Sequence, residues 1–375
     1  MLDTIVLTIP ERDVRLRAPE RFSPHAAMLR SPALGGGAMV KAIYNPSKAD
    51  KATGYKPRLT LLKPPYRPPV LKIEFSAPKL LFDNNFEELR GRADLPLVIT
   101  ELHKALDVMG VGVFPEALEA AQVSAIHYSK NILLERTTPC FLVIQALEKL
   151  DLSAQLDLTQ TDFRNGGQMA KYHAGSYEIA LYDKVKDLEQ AAKYGAKRGA
   201  AADYDGAGDL FATAPRKPEV LRFEVRLTAR KCKSLCGTLG FAYAPTLAAL
   251  FSPDLSRAIL MHYWKVITDG LYMMQIDTKN TERALHTIRA AFPRKRPGSV
   301  LQLLGFITTC QALGQRAARA AMALPSHQWY RLKRDAKALD ANPTCPRFAA
   351  LATVRGQLRE FVGLGREDLA GAILL

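Results

Sequence analysis

The chain has few cysteines, no long apolar run and too few acids to balance its bases. Five cysteines in 375 residues, Cys140, Cys232, Cys236, Cys310 and Cys345, are too few and odd in number for a disulfide framework, which fits a reducing cytosol. Cys232 and Cys236 invite a zinc reading, but no second Cys or His pair follows at finger-like distance, so they read as ordinary thiols. No uninterrupted apolar run reaches the ~18 residues of a membrane-spanning helix. The opening MLDTIVLTIPERD has an acid at Asp3 and no basic leader, so it reads as a first strand rather than a signal peptide. Neither a basic amphipathic helix nor a lipid anchor is evident, which argues against a membrane partner. Internal repeats and extended low-complexity tracts are missing too.

What is present is a globular composition, 48% hydrophobic and 24% charged, with 52 Lys and Arg against 37 Asp and Glu. The surplus of +15 calls for a polyanionic partner, and nucleic acid leads that class. At about 150 residues per domain the length predicts two or three domains.

Short strand-like stretches AMVKAIY and PRLTLLK come early, with YNPSKADKATGYK and KPPYRPP as basic, proline-bearing loops able to touch phosphates. In VLKIEFS, Leu71, Ile73 and Phe75 share one face and Lys72, Glu74 and Ser76 the other. A helix is predicted over Val98–Met109. AQVSAIHYSK then reads as a strand with Val123, Ala125 and His127 on one face, and Thr137 or Thr138 caps a helix beginning PCFLVIQ. Leu152 to Tyr172 holds further short strands, and the stretch from Lys197 to Glu219 reads as a flexible flap.

The central stretch is YEIALYDKVKDLE. Strand alternation places Glu178, Ala180, Tyr182 and Lys184 on one face, and Ile179, Leu181 and Asp183 on the other, before a helix around Val185–Tyr194. VLRFEVRLTARK alternates most cleanly, with Leu221, Phe223, Val225 and Leu227 opposite Arg222, Glu224 and Arg226. From about Gly240 the periodicity turns helical, which sets domains at 1–239 and 240–375. The late segment GQRAARAAMALPSHQWYRLKRDAKAL predicts two helices and a turn, with Ser326 capping the second; it reads either as a helix-turn-helix that contacts DNA through Arg331, Lys333 and Arg334 or as an ordinary basic helix hairpin.

If these strands form one sheet with helices behind it, Glu74, His127 and Glu224 converge with Tyr182 on the open face. Two carboxylates and an imidazole suit Mg²⁺ or Mn²⁺. A tyrosine nucleophile needs such company: with a pKa of about 10 it is ionised in only roughly one molecule in a thousand at pH 7, about 4 kcal/mol short of its reactive form. Lys184 would favour the phenolate, and Arg222 and Arg226 would brace a phosphate, as Lys72 would nearby. The bland reading of each residue is packing for Tyr182, ion pairs with Lys72, Arg222 and Arg226 for the acids, and a structural His127.

IEFSAPKLLFDNN, SAIHYSKNI, EIALYDKVKDLE and LRFEVRL, in this order, resemble the rolling-circle replication initiators of filamentous bacteriophages, the gene II protein family. MLDTIVLTIP and HQWYRLKRDAKAL are similar to the family as well, and the resemblance runs from about Leu71 to Leu339. It implies an enzyme that nicks one strand of double-stranded origin DNA, stays attached through a 5′-phosphotyrosyl link, and later rejoins the displaced single-stranded DNA. Host polymerase, helicase and single-strand-binding protein are the implied partners, in the bacterial cytoplasm. The family's tyrosine falls on Tyr182, its lysine on Lys184 and its acids on Glu74 and Glu224; His127 stands where some relatives have Asp. The expected fold is α+β, an open antiparallel sheet backed by helices followed by a mainly helical domain. The rivals are a metal-dependent endonuclease that uses water and a non-catalytic origin- or single-strand-binding protein.

Overall fold

The computed structural model describes residues 1–27, 39–135, 138–148, 161–164, 168–197, 217–268, 276–339 and 349–369. Among the described residues there are eleven strands: β1 (Leu2–Pro10), β2 (Arg15–Leu16), β3 (Val40–Tyr44), β4 (Arg58–Lys63), β5 (Val70–Ser76), β6 (Val111–Gly112), β7 (Gln122–Leu133), β8 (Thr161–Arg164), β9 (Met169–Ala174), β10 (Tyr177–Asp183) and β11 (Val220–Thr228). Nine form one antiparallel sheet in the order β3-β4-β5-β1-β7-β11-β10-β9-β8, while β2 and β6 pair separately. The fold is α+β, an open antiparallel sheet with helices on one face and a helical region after it.

Alternation explains the layering. Ile5, Leu7 and Ile9 of β1, Leu71, Ile73 and Phe75 of β5, and Phe223, Val225 and Leu227 of β11 are all buried in one core. Each such side chain contributes about 1.5–3 kcal/mol relative to staying in water. Helices Ala229–Leu239, Pro253–Thr268 and Ala349–Glu360 pack on this face, against β7 and, for the first two, β11 as well. Trp264 meets Phe223 edge to face at 5.9 Å, and the Tyr128 hydroxyl donates to Leu250 O at 3.1 Å. The helix expected at Val98–Met109 spans Leu95–Val108, with Val98, Ile99, Leu102 and Leu106 buried at helical spacing.

Two register shifts in the β1–β7 pair change which residues share a face. Leu2 pairs with Tyr128 and Ile5 with Ile126, so Asp3 and Thr4 together stand opposite His127. Farther along, Val6 pairs with Ala125 but Leu7 with Val123, leaving Ser124 extra. Val123 is therefore in the core with Leu7, and the expectation that it shares a face with His127 fails at this bulge.

The boundary at 239/240 does not follow the cores. Gly240, at φ 77°, is the left-handed residue that ends the helix Ala229–Leu239, a local stop signal. Leu247, Leu255, Ile259, Tyr263 and Trp264 beyond it belong to the sheet's core, as do Leu351, Val354 and Leu358. A separate core runs from Ile276 to Leu339 and includes Ile288, Leu303, Phe306, Trp329 and Leu332. This helical unit is thus an insertion within the sheet domain's sequence. Among the described residues, no helix is long and apolar enough to cross a membrane. The expected flap and most of the Leu152–Tyr172 stretch fall largely outside the described residues, as do Thr137 and Cys345.

Candidate active site

On the face of the sheet opposite the main core, where Val220 also meets Val185 of the helix Lys184–Lys197, neighbouring strands bring polar side chains side by side. Tyr182 of β10 pairs with Arg222 of β11, Ala180 with Glu224, and Glu178 with Arg226; across β11, Glu224 faces Ser129 and Arg226 faces His127 of β7. Directly paired residues point the same way, so these groups share one surface.

Glu224 is the hub. The Tyr182 hydroxyl donates to its Oε2 at 3.3 Å, and Arg226 Nε donates to Oε1 at 2.9 Å. His127 Nδ1 lies 3.1 Å from the same Oε1, and Arg222 Nε is 3.6 Å from Oε2. Arg226 also reaches Glu178 at 2.8 Å, which is flanked by His173 and Lys171. On the other side, Arg222 donates to Asp3 Oδ2 at 2.8 Å, to Asn85 O and Asn131 Oδ1 at 3.0 Å, and to Ser129 Oγ at 3.1 Å. Ser76 Oγ donates to the remaining Asp3 oxygen at 2.7 Å.

Burial and charge set the protonation of this network. Burial pushes the Tyr182 phenol well above its usual range, the Glu224 charge adds to that, and Arg222 only partly offsets it. The phenol is therefore neutral and donating at rest. Burial also opposes charge on Glu224, yet the hydrogen bond from His127 and the charges of Arg222 and Arg226 hold its carboxyl well below the usual value. Burial opposes charge on Asp3 too, yet Arg222, Lys184 and the Ser76 hydrogen bond together hold its carboxyl below the usual value. What results is a protonated tyrosine aimed at an ionised carboxylate.

Lys184 is not a strand residue: β10 ends at Asp183, and Lys184 opens the helix Lys184–Lys197. Asp183 Oδ1 accepts from Lys186 N at 2.9 Å, which starts that helix at its first turn. Lys184 nonetheless stays with the tyrosine, its Nζ 5.9 Å from the Tyr182 ring centre and 5.5 Å from that of Phe86, and it is buried.

Three expected members lie elsewhere or face inward. Glu74 shares the open face but sits on β5, with β1 between it and β7, and its Oε2 lies 3.7 Å from Arg58. Lys72 is on the same outlying strand, opposite Thr8 and Thr60. Arg222, expected to brace phosphate, is 1% exposed and committed to Asp3 and its neighbours. Glu74, His127 and Glu224 therefore do not form one donor set, and both Glu224 oxygens already face cationic groups or the phenol. That arrangement does not fit the Mg²⁺ or Mn²⁺ expected at those three residues, since a hard dication needs oxygen donors in excess of nearby positive charge. Parity places residues on a face without saying which strands are neighbours.

Among the described residues, Cys140, Asp183 and Glu219 form a tight group of potential metal ligands. One oxygen of each carboxylate serves a helix start: Glu219 Oε2 accepts from Cys140 N and Asp183 Oδ1 from Lys186 N, both at 2.9 Å. Burial raises both the Cys140 thiol and the Asp183 carboxyl.

Asp3 is the site residue that sequence reasoning missed. Its signal was an acid inside an otherwise uncharged strand, LDTIVLTIP, which the bulge turns onto the open face.

The second charged region is the helical unit. Residues 276–339 hold twelve of the chain's lysines and arginines but only three acids, Asp277, Glu282 and Asp335. Helices Gln315–Met322 and Ser326–Lys337 are joined by a turn at Ala323, whose φ is 47°. Ser326 does not cap the second helix; it is the first helical residue, and Pro325 O accepts from Gln328 N and Trp329 N. Trp329, Leu332 and Ala336 bury one stripe, with Trp329 edge-on to Phe306 at 4.9 Å. His327, Tyr330, Arg331, Arg334 and Lys337 form the exposed stripe, and Lys333 is half-buried beside it. No protein-family model, curated protein or solved structure matches this chain.

Proposed function

We propose that the chain is a rolling-circle replication initiator of the phage type, which nicks and rejoins DNA through Tyr182. The observation that carries this reading is the Tyr182 hydroxyl pointing at Glu224 within a charged network on the open sheet face. In the nicking step the Tyr182 oxygen attacks the scissile phosphorus and its proton passes to Glu224. The bond from phosphorus to the 3′ oxygen breaks, and that oxygen takes a proton from water to become a 3′-hydroxyl. The phosphate stays as a 5′-phosphotyrosyl ester. Reverse attack by a 3′-hydroxyl rejoins the strand, because the ester retains the energy of the broken bond. Arg226, with a third of its side chain exposed, is placed to hold a phosphate oxygen, and Lys184 offsets charge on the phenolate.

The exposed basic stripe of Ser326–Lys337 supports binding of duplex origin DNA, with Arg331 and Arg334 contacting it and Lys333 at its margin. Displaced single-stranded DNA, host polymerase, helicase and single-strand-binding protein would be its partners in the bacterial cytoplasm. Tyr182→Phe should retain origin binding while losing both the nick and the covalent adduct on a supercoiled origin plasmid; continued cleavage by that variant would remove Tyr182 from the chemistry.

The buried, neutral phenol favours a second reading, in which Glu224 activates water and Tyr182 only orients it. Protease treatment before electrophoresis separates the two, since only the covalent route leaves protein on a 5′ end.

A further inference from the structure

A cleft of about 490 Å³ opens on the same sheet face, next to the Tyr182 network. Asp3, Ser76 and Asn85 form its inner wall, and Lys51, Lys56, Arg58 and Lys79 line it with Glu74. Two of these wall groups, Asp3 and the Asn85 carbonyl, are partners of Arg222, which pairs across the strands with Tyr182. The basic loop YNPSKADKATGYK supplies most of the opposite side. A capping box between Ser47 and Asp50 starts its short helix, and Arg21 ties Asp50 down at 3.2 Å.

We infer that this cleft holds the phosphate backbone of a single-stranded segment of the DNA on which Tyr182 acts, an inference that rests on the nucleic-acid reading above. Four cations against two acids leave its lining positive, and each acid already faces a guanidinium, Asp3 at 2.8 Å and Glu74 at 3.7 Å. An anion answers that excess of positive charge. The size selects a strand rather than a duplex, because pockets of about 300–1,000 Å³ enclose small molecules and so one or two nucleotides. Tyr55 adds aromatic surface to the lining, as grooves that track single strands commonly do. The buried Asn85 Oδ1 has no hydrogen-bond partner among the described residues, which leaves an acceptor for a base or sugar donor.

The test is fluorescence anisotropy of the full chain with a short single-stranded oligonucleotide across a salt series. Combined Lys51→Ala, Lys56→Ala and Lys79→Ala should weaken binding about tenfold or more and flatten the slope of log affinity against log salt by ~0.7 for each phosphate no longer neutralised. Arginine at the same three positions should restore most of both. Circular dichroism and thermal melting should match the parent, since these lysines lie outside the core. Unchanged affinity and slope in the folded alanine variant overturn the inference. If the alanine variant binds normally while Tyr182→Phe fails to nick, the cleft is wrong and the nucleophile stands. If Tyr182→Phe still nicks while the alanine variant loses strand binding, the nucleophile is wrong and the cleft stands.

Discussion

The open sheet face and the inserted helical unit both carry dense charge, yet they use it in opposite ways. On the sheet, Arg222, Asp3 and Glu224 are at most 6% exposed, with Arg222 paired to both acids. On the helix Ser326–Lys337, the arginines of the outer stripe lie in water while Trp329 and Leu332 do the packing. Buried paired charge fixes geometry, because leaving one partner alone in a low-dielectric interior is costly. Exposed charge of one sign contributes little to folding and attracts polyanions. The first arrangement fixes a few atoms in place; the second leaves its charge exposed, as the proposed DNA contact requires.

The largest effect should come from breaking the buried side of that contrast. Arg222→Ala strands Asp3 and takes one cation from beside Glu224, and should cost about 3–5 kcal/mol of stability in denaturant unfolding. A loss near zero would mean that the network is not what orders this face.

Acid gives a graded version of the same cut. Asp3 and Glu224 both have folded values below their unfolded ones, so their contribution is present above the unfolded range of about 4 and disappears as pH falls through the lowered folded values. Stability should therefore fall between about pH 5 and the strongly acidic range, and Arg222→Ala should flatten that part of the profile.

The helical unit should behave in the reverse manner. Arg331→Ala with Arg334→Ala should change stability by no more than about 0.5 kcal/mol per site. Binding to origin duplex should weaken, with the salt slope reduced by ~0.9 for each phosphate that loses its cation. Unchanged affinity and salt slope in the double variant would place the DNA surface elsewhere.

Much of the sheet was legible in the sequence because apolar residues recur at every second position along its strands. VLKIEFS, YEIALYD and VLRFEVRLT alternate cleanly, so their faces could be assigned one strand at a time. The neighbour relations were not legible. Tyr182 and Glu224 meet because β10 and β11 pair, but β1 separates Glu74 from β7, and strand pairing between segments far apart in the chain leaves no local mark. Bulges hid the rest: they moved Val123 to the core and brought Asp3 to the site. The domain boundary failed for a related reason, since Gly240 ends a helix without ending a core. Tyr172, which shares sequence parity with Tyr182, pairs with Ile179 and faces the core instead.

The most direct test of the central claim is to trap the reaction on a supercoiled origin plasmid, digest DNA and protein, and weigh the peptides by mass spectrometry. The account predicts a nucleotide joined through phosphate to the peptide carrying Tyr182, with Tyr172 unmodified. Nicked DNA bearing a free 5′ phosphate, together with an unmodified Tyr182 peptide, would contradict it.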